Sequence, residues 1–151
     1  MRTLAIDFGL KRIGLAVSDS LQIIASPLEN ISGSHDVHIA TRGIVELLQK
    51  LQNQGKQVGQ IVIGLPLHMD GSESERSSQV RAFAECIKTA CNLPVFLLDE
   101  RLTSRQAERS LQERGFSRKK RTQFVDSVSA VILLQTYLSQ VQIKKERSDV
   151  I

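Results

Sequence analysis

The sequence predicts one α/β domain built on a mixed five-stranded sheet, with an antiparallel meander on one side, parallel strands on the other, and flanking helices. Short apolar runs rich in β-branched residues alternate with longer segments whose apolar residues recur at helical spacing. The first three strand patterns follow one another directly, which is typical of a meander. The last two are each preceded by a helical pattern, which is typical of parallel strands. A length of 151 residues with 41% hydrophobic residues is enough for one self-supporting core.

The meander occupies the beginning of the chain. Residues 3–8 are predicted to form the first strand, the turn 9–12 reverses the chain, and residues 13–18 return as the second strand. A third strand is predicted over 28–31, after a turn at Ser26-Pro27.

Helices and strands alternate in the rest of the chain. A helix is predicted between His35 and Gln54, with Gly55 as its stop. The apolar runs 60–64 and 94–98 are typical of strands buried on both faces. The other predicted helices are 74–90, 104–114 and 122–141, with Gly115 as the hinge between the last two. One domain therefore spans 1–141, and we expect residues 142–151 to form a polar, frayed tail.

Basic residues concentrate in one segment. Between Arg101 and Arg121, eight basic residues stand against two acidic ones, a charge of +6 in a chain whose formal net charge is +4. Such a patch indicates a polyanionic partner, and the alternative is a solvated helix face. Together with residues in two glycine turns, this segment provides the candidate nucleic-acid contacts: Lys11, Arg12, His68, Arg101, Arg105, Arg118, Lys119, Lys120 and Arg121.

Several classes of protein are disfavoured. No run approaches the roughly 18 apolar residues of a membrane helix, and Asp7 interrupts the first apolar run too early for a secretory signal. We therefore expect a cytoplasmic protein without a membrane partner. Cys86 and Cys91 lack the spacing of a metal knuckle or a disulfide framework, so we expect buried or half-buried free thiols. His35 and His38 have no companion metal ligands and are expected on the surface.

Four acidic residues are candidates for chemistry. Asp7 ends the first strand and Asp99 and Glu100 end the last, where ligands gather in open α/β sheets. Asp126 lies early in a helix that is apolar on nearly every face, an unusual place for a carboxylate. The structural alternatives are turn or helix caps for the strand-end acids and a helix-dipole contact for Asp126. Clustered carboxylates need a cation, and oxygen ligands select Mg²⁺ or Mn²⁺; two such ions about 4 Å apart suit phosphoryl displacement.

A loop rich in turn formers follows the fourth strand, from Gly64 to Ser72. We expect the backbone amides of Gly71 and Ser72 to approach a phosphate closely. The alternative is a plain connection in which Ser72 or Ser74 caps the next helix. His68 lies in this loop, where it could touch a substrate.

Four segments resemble, in chain order, the motifs of the YqgF (RuvX-like) family of bacterial proteins. They are the opening strand, turn and strand 7–19, the central loop 64–72, the second acidic motif 99–104 and the acidic helix 125–130. The family is described both as Holliday junction resolvases and as nucleases that mature the 5′ end of pre-16S rRNA. Four motifs in order, covering nearly the whole chain, are a specific signal.

The resemblance implies a ribonuclease H-like fold and a nuclease site in which Asp7, Glu100 and Asp126 bind two Mg²⁺ or Mn²⁺ ions. Asp99 is the paired catalytic acid, and Glu100 is favoured over it as the ligand because adjacent strand residues point to opposite faces. The implied partner is structured nucleic acid, either pre-rRNA during ribosome biogenesis or branched DNA, bound by a monomer or a homodimer. Three residues depart from the family's usual ones without removing an acid: His68, Ser74 and Ser129.

Two other classes of function fit part of the sequence. An Asp-x-Gly hairpin also resembles the first phosphate-binding hairpin of actin-like ATPases and sugar kinases. Those proteins need a second half-domain and a second phosphate loop, which 151 residues with one hairpin do not supply. A non-catalytic nucleic-acid-binding module would keep the fold and the basic residues, but retention of all four acids favours the enzyme.

Overall fold

The computed structural model describes residues 1–103 and 118–149, apart from the side chains of residues 102, 118–126 and 146–149. The predicted helix 104–114 and the hinge at Gly115 lie outside the described residues. The elements are β1 (Arg2–Asp7), β2 (Arg12–Ser18), β3 (Ala25–Ser32), α1 (Val37–Asn53), β4 (Val58–Leu65), α2 (Glu75–Cys91), β5 (Val95–Asp99), a 3₁₀ turn (Glu100–Leu102) and α3 (Arg118–Asp149).

The five strands form one mixed sheet in the order β3-β2-β1-β4-β5. β2 is antiparallel to both β1 and β3, whereas β4 is parallel to both β1 and β5. The predicted meander and parallel half are therefore confirmed. The carboxyl ends of β1, β4 and β5 lie along one edge, which we call the carboxyl edge; there Ile6 pairs with Ile63, and Leu65 pairs with Asp99.

The two faces of the sheet carry different layers. On one face, Ile6 and Ile63 are fully buried in a cluster with Ile44 of α1 and Phe83 of α2. Because side chains alternate along a strand, the neighbours of these residues point to the opposite face. That second face packs on α3 and is lined by smaller side chains: Ala5, Ala16, Val62, Ala130 and Leu134.

Helix α3 packs along this second face of the sheet and runs from the carboxyl edge toward the other end of the strands. Near its start, the Ser127 hydroxyl donates to Leu28 O at 2.8 Å and contacts Asn30 Oδ1 on β3, level with the end of β1. About three turns further along α3, Leu138 lines a groove with Leu21 of the β2–β3 loop, at the other end of the strands. The beginning of α3 therefore lies at the carboxyl edge.

The two edge strands differ from the prediction. Ser26-Pro27 is part of β3, where Pro27 pairs with Ala16, and not a turn. Proline is tolerated there because an edge strand has one side free of ladder hydrogen bonds. The prediction that β5 is buried on both faces is also wrong. β5 is the second edge strand of the sheet, and its Phe96 and Leu97 are 42% and 36% exposed.

Helix α3 is longer than predicted. It continues through Val141 to Asp149, so the part of the polar tail that the structure describes is helical and not frayed. Within residues 1–103 and 118–149, no helix is both long and apolar enough to cross a membrane. The two cysteines are free and half-buried, and the two early histidines are exposed, as expected: Cys86, Cys91, His35 and His38.

Candidate active site at the carboxyl edge of the sheet

The Glu100 side chain lies directly over the backbone of Gly64. A Cβ added to Gly64 would lie 2.6 Å from Cγ and 2.8 Å from Cδ of Glu100, closer than real Cβ contacts come. A side chain at position 64 would therefore force the Glu100 side chain to move. Gly64 follows Ile63, the β4 residue that pairs with Ile6 of β1, so the Glu100 carboxylate lies one strand away from the end of β1.

Asp7 ends β1 on the face that α3 covers. Ala5, two residues earlier, packs against α3, and the alternation of side chains places Asp7 on that same face. Val62 places Gly64 on this face by the same argument. Asp7 is half-buried and pairs with Gly14 of β2. Asp7 and the Glu100 carboxylate therefore share one face and one edge of the sheet.

Asp126, the third predicted acid, lies in the part of α3 that packs at the carboxyl edge. Asp126 lies one helical turn before Ala130, which packs on the sheet, and next to Ser127, which binds β3. The side chain of Asp126 is outside the described part of the chain. Among the described side chains, no group of three His, Cys, Asp or Glu residues could hold a metal ion. A three-carboxylate site at this edge would therefore need an acidic side chain outside the described ones, and Asp126 is the predicted candidate.

Asp99, the alternative to Glu100 among the paired acids, is bound by Arg101. Arg101 Nε donates to Asp99 Oδ2 at 2.7 Å, Arg101 Nη2 lies 2.6 Å from the same oxygen, and the Arg101 amide donates to Oδ1 at 3.0 Å. The hydrogen bonds from the Arg101 side chain hold the pKa of Asp99 below its ordinary value. Asp99 is thus engaged by Arg101, whereas the Glu100 carboxylate lies over Gly64.

The loop after β4 satisfies its amides internally. Gly71 N donates to His68 O at 2.8 Å, and Ser72 N donates to Asp70 Oδ1 at 2.9 Å. The Ser72 hydroxyl also donates to Asp70 at 2.6 Å, which lowers the pKa of that carboxyl. The expectation that the amides of Gly71 and Ser72 contact phosphate is therefore wrong, because both donors already have partners.

Ser74, and not Ser72, caps helix α2. Its Oγ accepts from Ser77 N at 2.9 Å, and Ser77 Oγ accepts from Ser74 N at 2.7 Å, which completes a capping box. The Ser74 hydroxyl also donates to Pro66 O at 2.6 Å and closes the base of the loop. These contacts give Ser74 a structural role at the junction between the loop and α2.

The described candidates for nucleic-acid contact surround the carboxyl edge. Lys11 and Arg12 are exposed at the β1–β2 turn, and His68 is exposed in the loop after β4. Arg101 follows β5, and its Nη1 donates to Met69 O at 3.1 Å. The remaining candidates have side chains outside the described residues: Arg105, Arg118, Lys119, Lys120 and Arg121.

Two residues near the acids are not singled out by the sequence analysis. Thr103 is 3% exposed, and its amide and hydroxyl donate to Glu100 O at 3.0 and 3.1 Å. Its position shortly after two strand-end acids is a recognisable signal, because threonine hydroxyls commonly bind nearby backbone. Arg76 donates from Nη2 to Phe8 O at 3.0 Å and joins α2 to the turn after Asp7. No local pattern in the sequence indicates that contact.

Comparison with known proteins places this arrangement in a family. A family model described as RuvX, Holliday junction resolvase, matches residues 1–140. The chain belongs to the RuvX family.

Two curated relatives of this RuvX protein carry the name "Putative pre-16S rRNA nuclease". The Protochlamydia amoebophila relative is 44% identical over 141 residues, 91% of this chain and 92% of its own length. The Maridesulfovibrio salexigens relative is 43% identical over 142 residues, 93% of this chain and 99% of its own. The predicted enzyme class, a hydrolase of phosphodiester bonds, is confirmed.

Solved structures establish the fold. The RuvX protein superimposes on Thermus thermophilus RuvC in complex with a Holliday junction substrate, with a TM-score of 0.60, 15% identity, and coverage of 94% and 96% of the two chains. The fowlpox virus Holliday junction resolvase gives a TM-score of 0.56 at 10% identity, covering 93% and 99%. The predicted ribonuclease H-like fold is therefore confirmed.

Proposed function

We propose that this RuvX protein is a divalent-metal-dependent nuclease that processes the 5′ end of pre-16S rRNA during ribosome biogenesis. The observation that carries the proposal is the placement of Asp7 and Glu100 on one face of the carboxyl edge, where the helix bearing Asp126 begins. The choice of substrate rests on the names of the curated relatives, which align with more than nine-tenths of this chain.

The residues present fit Mg²⁺ or Mn²⁺. Asp7, Glu100 and Asp126 are hard oxygen donors, and carboxylates gathered at one site repel one another unless a cation joins them. When bound, one or two such cations supply Lewis acidity and neutralise charge at the scissile phosphate. Gly64 keeps the space that the Glu100 carboxylate occupies, and Asp99 supports Glu100 from the neighbouring position.

Basic residues around the edge are proposed to hold the RNA backbone. Lys11, Arg12 and His68 are exposed on the turn and the loop that border the acids. Contacts to phosphate give affinity and orientation with little sequence choice, so RNA shape would decide where the strand enters. The remaining predicted contacts extend this surface along the chain: Arg105, Arg118, Lys119, Lys120 and Arg121.

A cleavage assay on pre-16S 5′-leader RNA tests the proposal. With Mg²⁺ or Mn²⁺, we expect the wild type to cut the RNA, and we expect Asp7→Asn and Glu100→Gln to bind it without cutting. Glu85→Gln, which changes an exposed carboxylate on α2, is the matched control and should cleave normally. Cleavage by Asp7→Asn, or undiminished cleavage by the wild type in excess chelator, would contradict the proposed site. Binding without cleavage by the wild type would indicate a non-catalytic module.

Holliday junction resolution is the second candidate. The family model's description favours it, and the RuvC structure that shares this fold is in complex with a junction. Symmetric cutting of a four-way junction suits a two-fold homodimer, whereas a single RNA cut does not require one. Parallel assays on a four-way DNA junction and on the RNA, with the mass of the complex measured in solution, separate the two. Paired symmetric nicks by a dimer, with the RNA left intact, would favour the resolvase.

A further inference from the structure

Glu100 lies between two residues that bind each other. Asp99 and Arg101, its chain neighbours on either side, are joined through Oδ2 to Nε and Nη2, and Asp99 Oδ1 also accepts from the Arg101 amide. The backbone of Glu100 is therefore enclosed in a short ring of hydrogen bonds. This ring limits the directions in which the Glu100 side chain can leave the main chain.

The same backbone is held from its other side. The carbonyl of Glu100 accepts from both the amide and the hydroxyl of buried Thr103, at 3.0 and 3.1 Å. With the 3₁₀ turn fixed at both ends, the Glu100 side chain extends over Gly64. Its carboxylate is positioned by residues that do not themselves lie over the strand.

Arg101 also reaches the loop after β4. Its Nη1 donates to Met69 O at 3.1 Å and lies 3.4 Å from the position of a Cβ on Gly71. The loop tip 68–72 is closed on itself by hydrogen bonds from His68 N to Ser72 O and from Gly71 N to His68 O, so one attachment at Met69 holds the whole tip. Nε, Nη1 and Nη2 of Arg101 are thus all engaged within the protein.

We propose that Asp99 and Arg101 form a latch that positions Glu100 and holds the loop tip 68–72 against the end of β5. In this role Arg101 is a positioning residue and not a phosphate contact. The inference rests on the proposed function, because it takes Glu100 as a metal ligand. It assigns the Asp99–Arg101 pair the task of organising the site before nucleic acid arrives.

The test compares Arg101→Gln, Asp99→Asn and the double variant with a matched control. Arg81→Gln also removes an arginine from an ion pair, that with Glu73, whose side chains are both 49% exposed. Three measurements are made on each protein: Mn²⁺ affinity by calorimetry without nucleic acid, hydrogen exchange of the amides in 68–72, and the salt dependence of RNA binding.

A latch predicts coupled losses. Each single variant should bind Mn²⁺ about tenfold more weakly, in the range seen when an outer-shell partner of a metal ligand is removed. The double variant should be no worse than the singles, because the two residues act as one unit. Amides of the loop tip should exchange faster in Arg101→Gln and as in wild type in Arg81→Gln, and the salt slope of RNA binding should not change.

A phosphate contact predicts the opposite pattern. Unchanged Mn²⁺ affinity and exchange in Arg101→Gln, with a salt slope lowered by about one unit, would overturn the latch. Additive losses in the double variant would also overturn it. If the wild type binds no Mn²⁺, the proposed metal site fails, and the exchange of residues 68–72 still decides whether Arg101 holds the loop.

Discussion

Gly64 and Glu100 illustrate how much of the site the sequence can reveal at the scale of single residues. The sequence predicts that acids end the last strand, and alternation says that Asp99 and Glu100 point to opposite faces. It does not say which face α3 covers, because that depends on packing between residues far apart in the chain. In the sequence Gly64 is only the start of a loop, and its role in making room for Glu100 emerges in three dimensions.

We expect Gly64→Ala to displace Glu100. The added Cβ would fall within 2.8 Å of three Glu100 side-chain atoms, so the carboxylate must move away from its place over β4. Cleavage and Mn²⁺ affinity should each fall about tenfold or more, as when a ligand loses its orientation. Gly59→Ala in the same strand is the control, because the three atoms nearest its Cβ belong to the side chain of exposed Met1 and to no acid. Equal activity in the two variants would show that Glu100 has no positional role.

Asp126→Asn separates an enzyme from a binding module. The change keeps the shape of the side chain but removes one negative charge, so a metal-assisted reaction should lose several kcal/mol of transition-state stabilisation, roughly a thousandfold in rate. RNA affinity should be retained or increased, since repulsion of phosphate declines. The melting temperature should equal or exceed that of the wild type. Normal cleavage would reduce Asp126 to a helix-dipole contact, and failure to fold would make it a structural residue.

At the scale of elements, the sequence predicts the existence of the strands and helices better than their ends. A turn is predicted at Ser26-Pro27 because proline interrupts central strands, but β3 is an edge strand, where Pro27 is accommodated. The apolar residues of β5 predict a buried strand, yet its place at the other edge leaves Phe96 exposed. Neither position in the sheet is visible in the local sequence, because strand order is decided by packing of the whole domain.

Ser74 sets the junction between the loop and helix α2. We expect Ser74→Ala to lower the free energy of unfolding by about 1 kcal/mol, since the variant loses the cap on Ser77 N. The bond to Pro66 O is removed as well, so Pro66–Ser72 should become more susceptible to proteolysis. Denaturant unfolding and limited proteolysis measure the two effects. Ser78→Ala removes an exposed hydroxyl one turn into the helix and is the control. It should change stability and proteolysis much less than Ser74→Ala does. Equal effects of the two substitutions would show that the Ser74 cap contributes nothing specific.

At the scale of the whole molecule, the two ends of the sheet differ in chemistry. The carboxyl edge gathers acids and exposed cations, among them Asp7 and Lys11. At the other end of the strands lies a groove between Leu21 and Leu138, and the residues that line it are uncharged. The order of the sequence motifs predicts that the acids come together, since parallel strands end at one edge. The clustering of basic residues within 101–121 is also visible in the sequence. Residues 104–117 of that segment lie outside the described part of the chain.

The basic segment should govern how strongly binding depends on salt. We expect replacement of Lys119, Lys120 and Arg121 by Ala to weaken binding to RNA and DNA alike. The dependence of log K on log salt should flatten by roughly one unit for each phosphate that the variant no longer neutralises. Replacing Lys144 and Lys145, exposed near the far end of the same helix, is the control for net charge and should leave the slope nearly unchanged. An unaltered slope in the triple variant would show that this segment does not face the nucleic acid.

The bond from Ser127 to β3 has a consequence for how the protein is made. It joins residues 99 positions apart in the chain, and it fixes the helical segment beside Asp126 against a strand that is synthesised early. A ribosome that has released the first hundred residues has delivered Asp7 and Glu100 but not the helix. The proposed nuclease site therefore remains incomplete on every nascent chain that has not yet extended through Asp126. A protein whose proposed substrate is the ribosome's own RNA thus gains its full set of acids only after the helical segment that bears Asp126 has been synthesised.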